Sequence, residues 1–103
     1  MERKYRLISP LGLNARVASL IVGVFNRFTN NTITVHYNGE QADGKSILSL
    51  ITLVVKSGEE ITVEVDGNNS ENVFTLLEKV SDNSTTPIIE KIYQNPFINE
   101  ITK

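Results

Sequence analysis

Side chains able to carry chemistry are few in this 103-residue chain, and their types narrow what it can do. It has no cysteine and a single histidine, His36, so disulfides and thiolate metal sites are excluded and too few imidazoles remain for a zinc centre. No metal and no cofactor is expected. Asn14 and Ser46 each precede an apolar-periodic stretch, where Asn and Ser accept hydrogen bonds from backbone amides in a helix's first turn. The Asn14 amide nitrogen is neither a nucleophile nor a useful base at neutral pH, because its lone pair is delocalised into the carbonyl. Ser46 is a hydroxyl at the positive end of a helix, where an added anion is stabilised.

The elements that must hold these groups follow from hydrophobic period and turn chemistry. Tyr5 to Ile8 reads as a strand that stops at Ser9-Pro10-Leu11-Gly12, where Pro and Gly break regular structure. Ala18, Ile21, Val22, Phe25 and Phe28 repeat at one-face helical spacing, with Asn14 placed to cap the helix. Thr32 to Tyr37 alternates, with Ile33, Val35 and Tyr37 on one side and His36 on the polar one. Asn38-Gly39 follows, the strongest short hairpin signal, since both turn residues must tolerate positive φ. Glu40 to Asp43 pairs back. Lys45 to Leu53 is ambiguous by period alone, but Gly44 before it and Ser46 as cap favour a short helix. Ile61, Val63 and Val65 alternate with polar residues in a fourth strand. Val73, Leu76, Leu77 and Val80 give a third helix over about Ser70 to Val80.

The order β-α-β-β-α-β-α, with strands polar on one side, implies an α+β fold: a four-stranded antiparallel sheet, solvated on one face and covered by three helices on the other. One domain is expected at this length. It should run over 1–83, followed by a C-terminal extension, 84–103. Asn83-Ser84-Thr85-Thr86-Pro87 opens that extension as a linker. Ile88, Ile89, Ile92 and Tyr93 then recur at helical spacing before Pro96, and Phe97, Ile98 and Ile101 follow. A free apolar tail is an association hazard, so these residues are expected to bury against the domain or a second copy.

Composition excludes several classes of partner. Hydrophobic content of 40% with 21% charged residues suits a folded domain, and a net charge of -2 without a basic stripe gives no field for nucleic acid. No apolar run approaches the ~20 residues of a membrane span and none opens the chain as a signal peptide, so a cytoplasmic location and no membrane partner are expected. The sequons at Asn30, Asn68 and Asn83 then mean only that asparagine is abundant.

Two motifs carry a family resemblance. Gly12-Leu13-Asn14-Ala15-Arg16-Val17-Ala18 is similar to the Gly-Leu/Ile-His-Ala-Arg-Pro-Ala of HPr phosphocarriers of the bacterial sugar phosphotransferase system. Lys45-Ser46-Ile47-Leu48-Ser49-Leu50-Ile51 is similar to their Lys-Ser-Ile-Met-Gly-Leu/Val-Met. With Tyr37-Asn38-Gly39 between them, the resemblance runs from about Lys4 to Val80 and implies the HPr-like open-faced β-sandwich. The histidine that accepts phosphate in the family is matched by Asn14, and the following proline by Val17, so phosphotransfer through this position is not expected and no enzymatic activity is implied. The serine of the second motif is phosphorylated in relatives by an HPr kinase/phosphorylase. Histidine-less members of the Crh type, which Asn26-Arg27-Phe28-Thr29 also resembles, keep only a regulatory role, as corepressors of a LacI-type transcriptional regulator. The resemblance thus makes Ser46 a phosphorylation site and the expected partners that kinase and either that regulator or another regulated protein.

It also implies a docking patch of Ile47, Leu48 and Ile51 on the second helix, joined by Arg16, Val17 and Leu20 of the first. Bland readings stand beside these. Asn14 and Ser46 serve as plain helix caps, Arg16 as a solvated charge, and Ile47 or Leu48 as core under a short helix. Leu50, Leu53 and Val54 form the opposite side of that helix. Two other roles are open: a degenerate phosphocarrier component of the relay, and an assembly subunit using its apolar tail.

Overall fold

Alternating residues become strands here wherever a helix can cover their apolar side. The computed structural model describes residues 1–82 and 86–92. In chain order they form β1 (Glu2–Leu7), α1 (Ala15–Phe25), β2 (Thr32–Tyr37), β3 (Glu40–Asp43), α2 (Ile47–Ile51), β4 (Glu60–Asp66), α3 (Ser70–Leu77), β5 (Ser81–Asp82), β6 (Thr86–Pro87) and β7 (Ile89–Lys91). The fold is α+β, as the alternation predicts. Tyr5, Leu7, Ile33, Val35, Ile61, Val63 and Val65 point inward and pack with Val17, Ile21, Phe25, Leu50, Val73, Phe74 and Leu77 of the helices in one core.

The sheet has five strands rather than four, in the order β3-β2-β4-β1-β7, every neighbouring pair antiparallel. Asn38 and Gly39 turn β2 into β3 with φ of 51° and 82°, the two positive values that the tight hairpin requires. The outer face is polar. There His36 Nε2 lies 2.8 Å from Glu64 Oε1, and Arg6 reaches both Glu60 and Glu90 at 3.2 Å. The apolar side of β1 is tied to the end of α3, where the Tyr5 hydroxyl donates at 2.7 Å to Oε2 of Glu78, the C-cap residue.

The fifth strand comes from the segment set apart as an extension. Ile89 pairs with Leu7 and Lys91 with Tyr5, while Ile88 and Ile89 are buried. The helical spacing of Ile88, Ile89 and Ile92 is therefore not realised as a helix. The free edge of β1 offers a row of unpaired backbone groups, and pairing with it satisfies both strands. Thr86 and Pro87, read as linker, pair with Ser81 and Asp82 in a separate two-stranded ribbon. Asn83, Ser84 and Thr85, expected as linker, and Tyr93, Pro96, Phe97, Ile98 and Ile101, expected in the apolar tail, lie outside the described residues.

Candidate functional site

The first motif is held by a close backbone approach. Gly12 has φ +67°, and a Cβ there would stand 2.5 Å from the Val55 carbonyl oxygen, so only glycine fits both the left-handed backbone and the space. The adjacent Leu13 amide donates to that same oxygen at 2.9 Å. This contact sets the loop before α1 against the segment after α2, and so brings the two motifs together.

Asn14 is the N-cap of α1. Its backbone is extended, and its Oδ1 accepts from the Val17 amide at 2.9 Å. Two residues on, Arg16 is exposed, and its Nε and Nη2 donate to Asp82 Oδ1 at 3.0 and 2.7 Å. That carboxylate holds the guanidinium pKa above its ordinary value. Val17 departs from expectation. It is buried, 2% accessible, because it shares a stripe with Ala18, Ile21, Val22 and Phe25 that faces the core. It offers no side chain to a docking partner. Leu20 is half-buried and packs against the core edge.

Ser46 caps α2 and is half-buried, its Oγ accepting from the Ser49 amide at 3.2 Å. The turn before it is fixed twice. Asp43 Oδ1 accepts from the Lys45 amide at 2.9 Å, and Lys45 Nζ donates to the carbonyls of Phe28 and Asn31 at 2.7 and 2.5 Å. Leu50 and Leu53 are buried, whereas Ile47 and Leu48 are 39% and 67% accessible. Ile51 is half-buried, against the core. The helix therefore turns its Ile47 and Leu48 side to solvent.

Val54 does not stay with Leu50 and Leu53. It has φ +55°, which reverses the chain past the helix end, so that Val54 is 64% accessible while Val55 is buried. A β-branched residue in the left-handed region is strained. Together with Leu11, 76% accessible, Val54 flanks an open groove of about 520 Å³ that Asn14, Ile51 and Lys56 also line. The far wall is steadied by Glu59, whose Oε1 accepts from the Lys56 amide at 2.7 Å and from the Tyr37 hydroxyl at 2.8 Å. These bonds hold the Glu59 carboxyl below its ordinary pKa, the backbone one foremost.

Leu11 and Asp82 carry no sequence signal for this site, and Val54 carries one only for the opposite side of α2. Leu11 sits in a loop, where no period marks exposure. Val54 follows the apolar spacing of a helix that has already ended. Asp82 lies 66 residues from Arg16, beyond any spacing rule.

Among the described residues, no group of histidine and carboxylate side chains is placed to hold a metal ion. Nor, among the described residues, is any helix long and apolar enough to cross a membrane.

The family model described as the PTS HPr component phosphorylation site matches residues 1–83. The phosphocarrier protein HPr of Mycoplasma capricolum subsp. capricolum is 33% identical over 73 residues, which cover 71% of this chain and 81% of the relative. The HPr-like protein Crh of Halalkalibacterium halodurans is 34% identical over 77 residues, covering 75% and 90%. Among solved structures, HPr-C-His from Thermoanaerobacter tengcongensis aligns with a TM-score of 0.68 at 25% identity, over 73% of this chain and 83% of that one. With its helices, its central strands and both motif loops inside the matched span, this chain belongs to the HPr family of the phosphotransferase system.

Proposed function

We propose that this protein is a regulatory member of the family that acts by binding partners and does not carry phosphate on the first motif. The observation that carries this reading is Asn14. An amide caps α1 at the position that the resemblance of the first motif matches to the family histidine, and an amide cannot form the phosphoramidate that the relay passes on. Similarity to a Crh protein at 34% identity supports the same reading. The protein is no enzyme in this account and works in the cytoplasm.

Ser46 is the control point, phosphorylated by an HPr kinase/phosphorylase. Its hydroxyl stands at the start of α2 beside exposed Ile47 and Leu48, so a phosphate there sets about two negative charges at the edge of an apolar surface. A partner offering Arg or Lys opposite it gains charge-assisted hydrogen bonds, and one offering a carboxylate is repelled. A LacI-type transcriptional regulator is the partner expected to gain. The docking surface comprises Ile47, Leu48 and Ile51, with Arg16 and Leu20 from α1. Leu11 and Val54 extend it along the groove, and Val17 supports it from beneath.

The test is direct. Incubation with HPr kinase/phosphorylase and ATP should add one acid-stable phosphate, absent in Ser46→Ala, and the product should bind the regulator more tightly than the unmodified protein. No phosphate, or equal affinity, rejects the reading. Acid-labile phosphate acquired from phosphoenolpyruvate through the first relay enzyme would favour the degenerate phosphocarrier instead.

A further inference from the structure

Val54 combines a strained backbone with a side chain that gives the fold almost nothing. Its φ of +55° is one that a β-branched residue adopts only where its surroundings impose it. They do so here. Leu53 and Val55 on either side are buried, the Val54 amide donates to the Ile51 carbonyl at 3.2 Å, and the Val55 carbonyl accepts the Leu13 amide at 2.9 Å. Glycine would adopt this backbone without steric cost, whereas the isopropyl group of Val54 is left largely exposed.

The other flank of the groove is fixed as firmly. Leu11 stands on the turn from Ser9 to Gly12, which the Gly12 amide closes on the Ser9 carbonyl at 3.0 Å. The Ile88 carbonyl holds the start of that turn, accepting the Ile8 and Ser9 amides at 3.0 and 3.2 Å. Two apolar side chains thus stand out from well-anchored backbone along the groove that Asn14 also lines. Group transfer needs reacting atoms within about 3 to 3.5 Å, so a donor serving position 14 must come down flush between these flanks. A surface without matching recesses is held off by the height of a branched side chain.

We infer that Val54 is the specificity-determining residue of the docking surface: it turns away the close, flat approach of a phosphoryl donor and admits a partner recessed to receive it. Overfilling a rigid contact is costly, while an isopropyl group seated in a recess leaves water. Among the described residues that line the groove, Lys56 alone is charged, so the admitted partner sets a carboxylate beside its apolar recess. On the reading of this protein as a binding module, on which this rests, Val54 adds to the missing nucleophile a second, independent barrier to phosphate relay.

The experiment titrates the full chain with the first relay enzyme by calorimetry. Val54→Gly should tighten that binding by at least about tenfold, the scale of relieving one overpacked contact. Val54→Thr, which keeps the branched shape, should bind as weakly as the original. In the Asn14→His background, Val54→Gly should raise the rate of phosphate transfer from phosphoenolpyruvate, again with no gain from Val54→Thr. The Ser46-phosphorylated chain, titrated with the LacI-type regulator, should lose affinity in both Val54 variants and in Lys56→Gln. Relay-enzyme affinity unchanged by Val54→Gly, or raised equally by Val54→Thr, overturns the role of Val54 and leaves the binding-module reading intact. No regulator binding by the unaltered phosphorylated chain overturns that reading instead, and the relay-enzyme titration still decides the role of Val54.

Discussion

The side-chain oxygen of Asn14 accepts the backbone amide of Val17 at 2.9 Å, so the residue that opens the first motif and the residue that buries its first turn are one hydrogen-bonded unit. Removing the acceptor leaves a first-turn donor without a protein partner. Asn14→Ala should cost about 1 kcal/mol in urea unfolding, and Asn14→Asp, which keeps an acceptor, should cost less. Asn14→His alone should not carry phosphate at the rate of an ordinary HPr, because Val17 also stands where the resemblance puts a proline and reactive geometry is unforgiving. A phosphoenolpyruvate-dependent transfer assay decides that point.

Val54 holds a left-handed backbone without burial to offset the strain. Val54→Gly should therefore raise stability by up to about 1 kcal/mol, the relieved strain outweighing the added freedom of the unfolded chain. It should at the same time weaken partner binding along the groove. Urea midpoints and a binding isotherm on the same sample test both halves. A stability loss as large as that of a core truncation would contradict this account of Val54.

Ile89 is 5% accessible and pairs with Leu7. Ile89→Ala should cost about 2 to 4 kcal/mol by the usual measure for a buried aliphatic side chain. A near-neutral result in urea unfolding would mean that β7 is dispensable. Destabilisation on that scale would place it among the structural strands of the domain.

Tyr5 gives a signed pH prediction. Burial first, and the Glu78 carboxylate second, push its phenol far above the ordinary tyrosine value of 10.0. A raised folded pKa means that the stabilisation is fully present below the unfolded value and is lost as pH rises above it, since the unfolded chain then releases a proton that the folded one keeps. Stability should fall as pH climbs past about 10. The fall should be flatter in Tyr5→Phe; Tyr37, raised chiefly by its bond to Glu59, acts with the same sign in both proteins. Urea midpoints across that range measure it.

What could be read from sequence divides by the range of the interactions involved. The β2–β3 hairpin was legible because Asn38-Gly39 states its turn chemistry locally, and α1 because four of the apolar positions, Ala18, Ile21, Val22 and Phe25, and a capping amide agree. Asn14 and Ser46 as caps followed from the same local rules. Val17 shows how a resemblance can override a residue pattern. It lies four residues before Ile21 and eight before Phe25, a spacing that fits the core stripe it joins, whereas the resemblance implies a place on the docking patch. Ile88 and Ile89 were legible as buried but not as strand, since their spacing suits a helix and the choice is made by the free edge of β1. The Arg16–Asp82 pair was invisible, because it depends on where a ribbon far along the chain comes to rest.

The position of β1 between β4 and β7 has a consequence for the order in which the molecule can be assembled. Residues 2–7 find one neighbour in residues 60–64 and the other in residues 89–91. During synthesis this strand must wait for most of the chain to emerge before either side is satisfied, and its second side is the later to close. Contacts of such sequence separation are slow to form, because the entropy of closing the intervening loop must be met before the ladder returns anything. The β2–β3 hairpin and α1 can form early on the ribosome. An earlier strand with two open edges invites pairing with a neighbouring nascent chain, so β7 also acts as a late guard that ends the interval in which two growing copies could entangle.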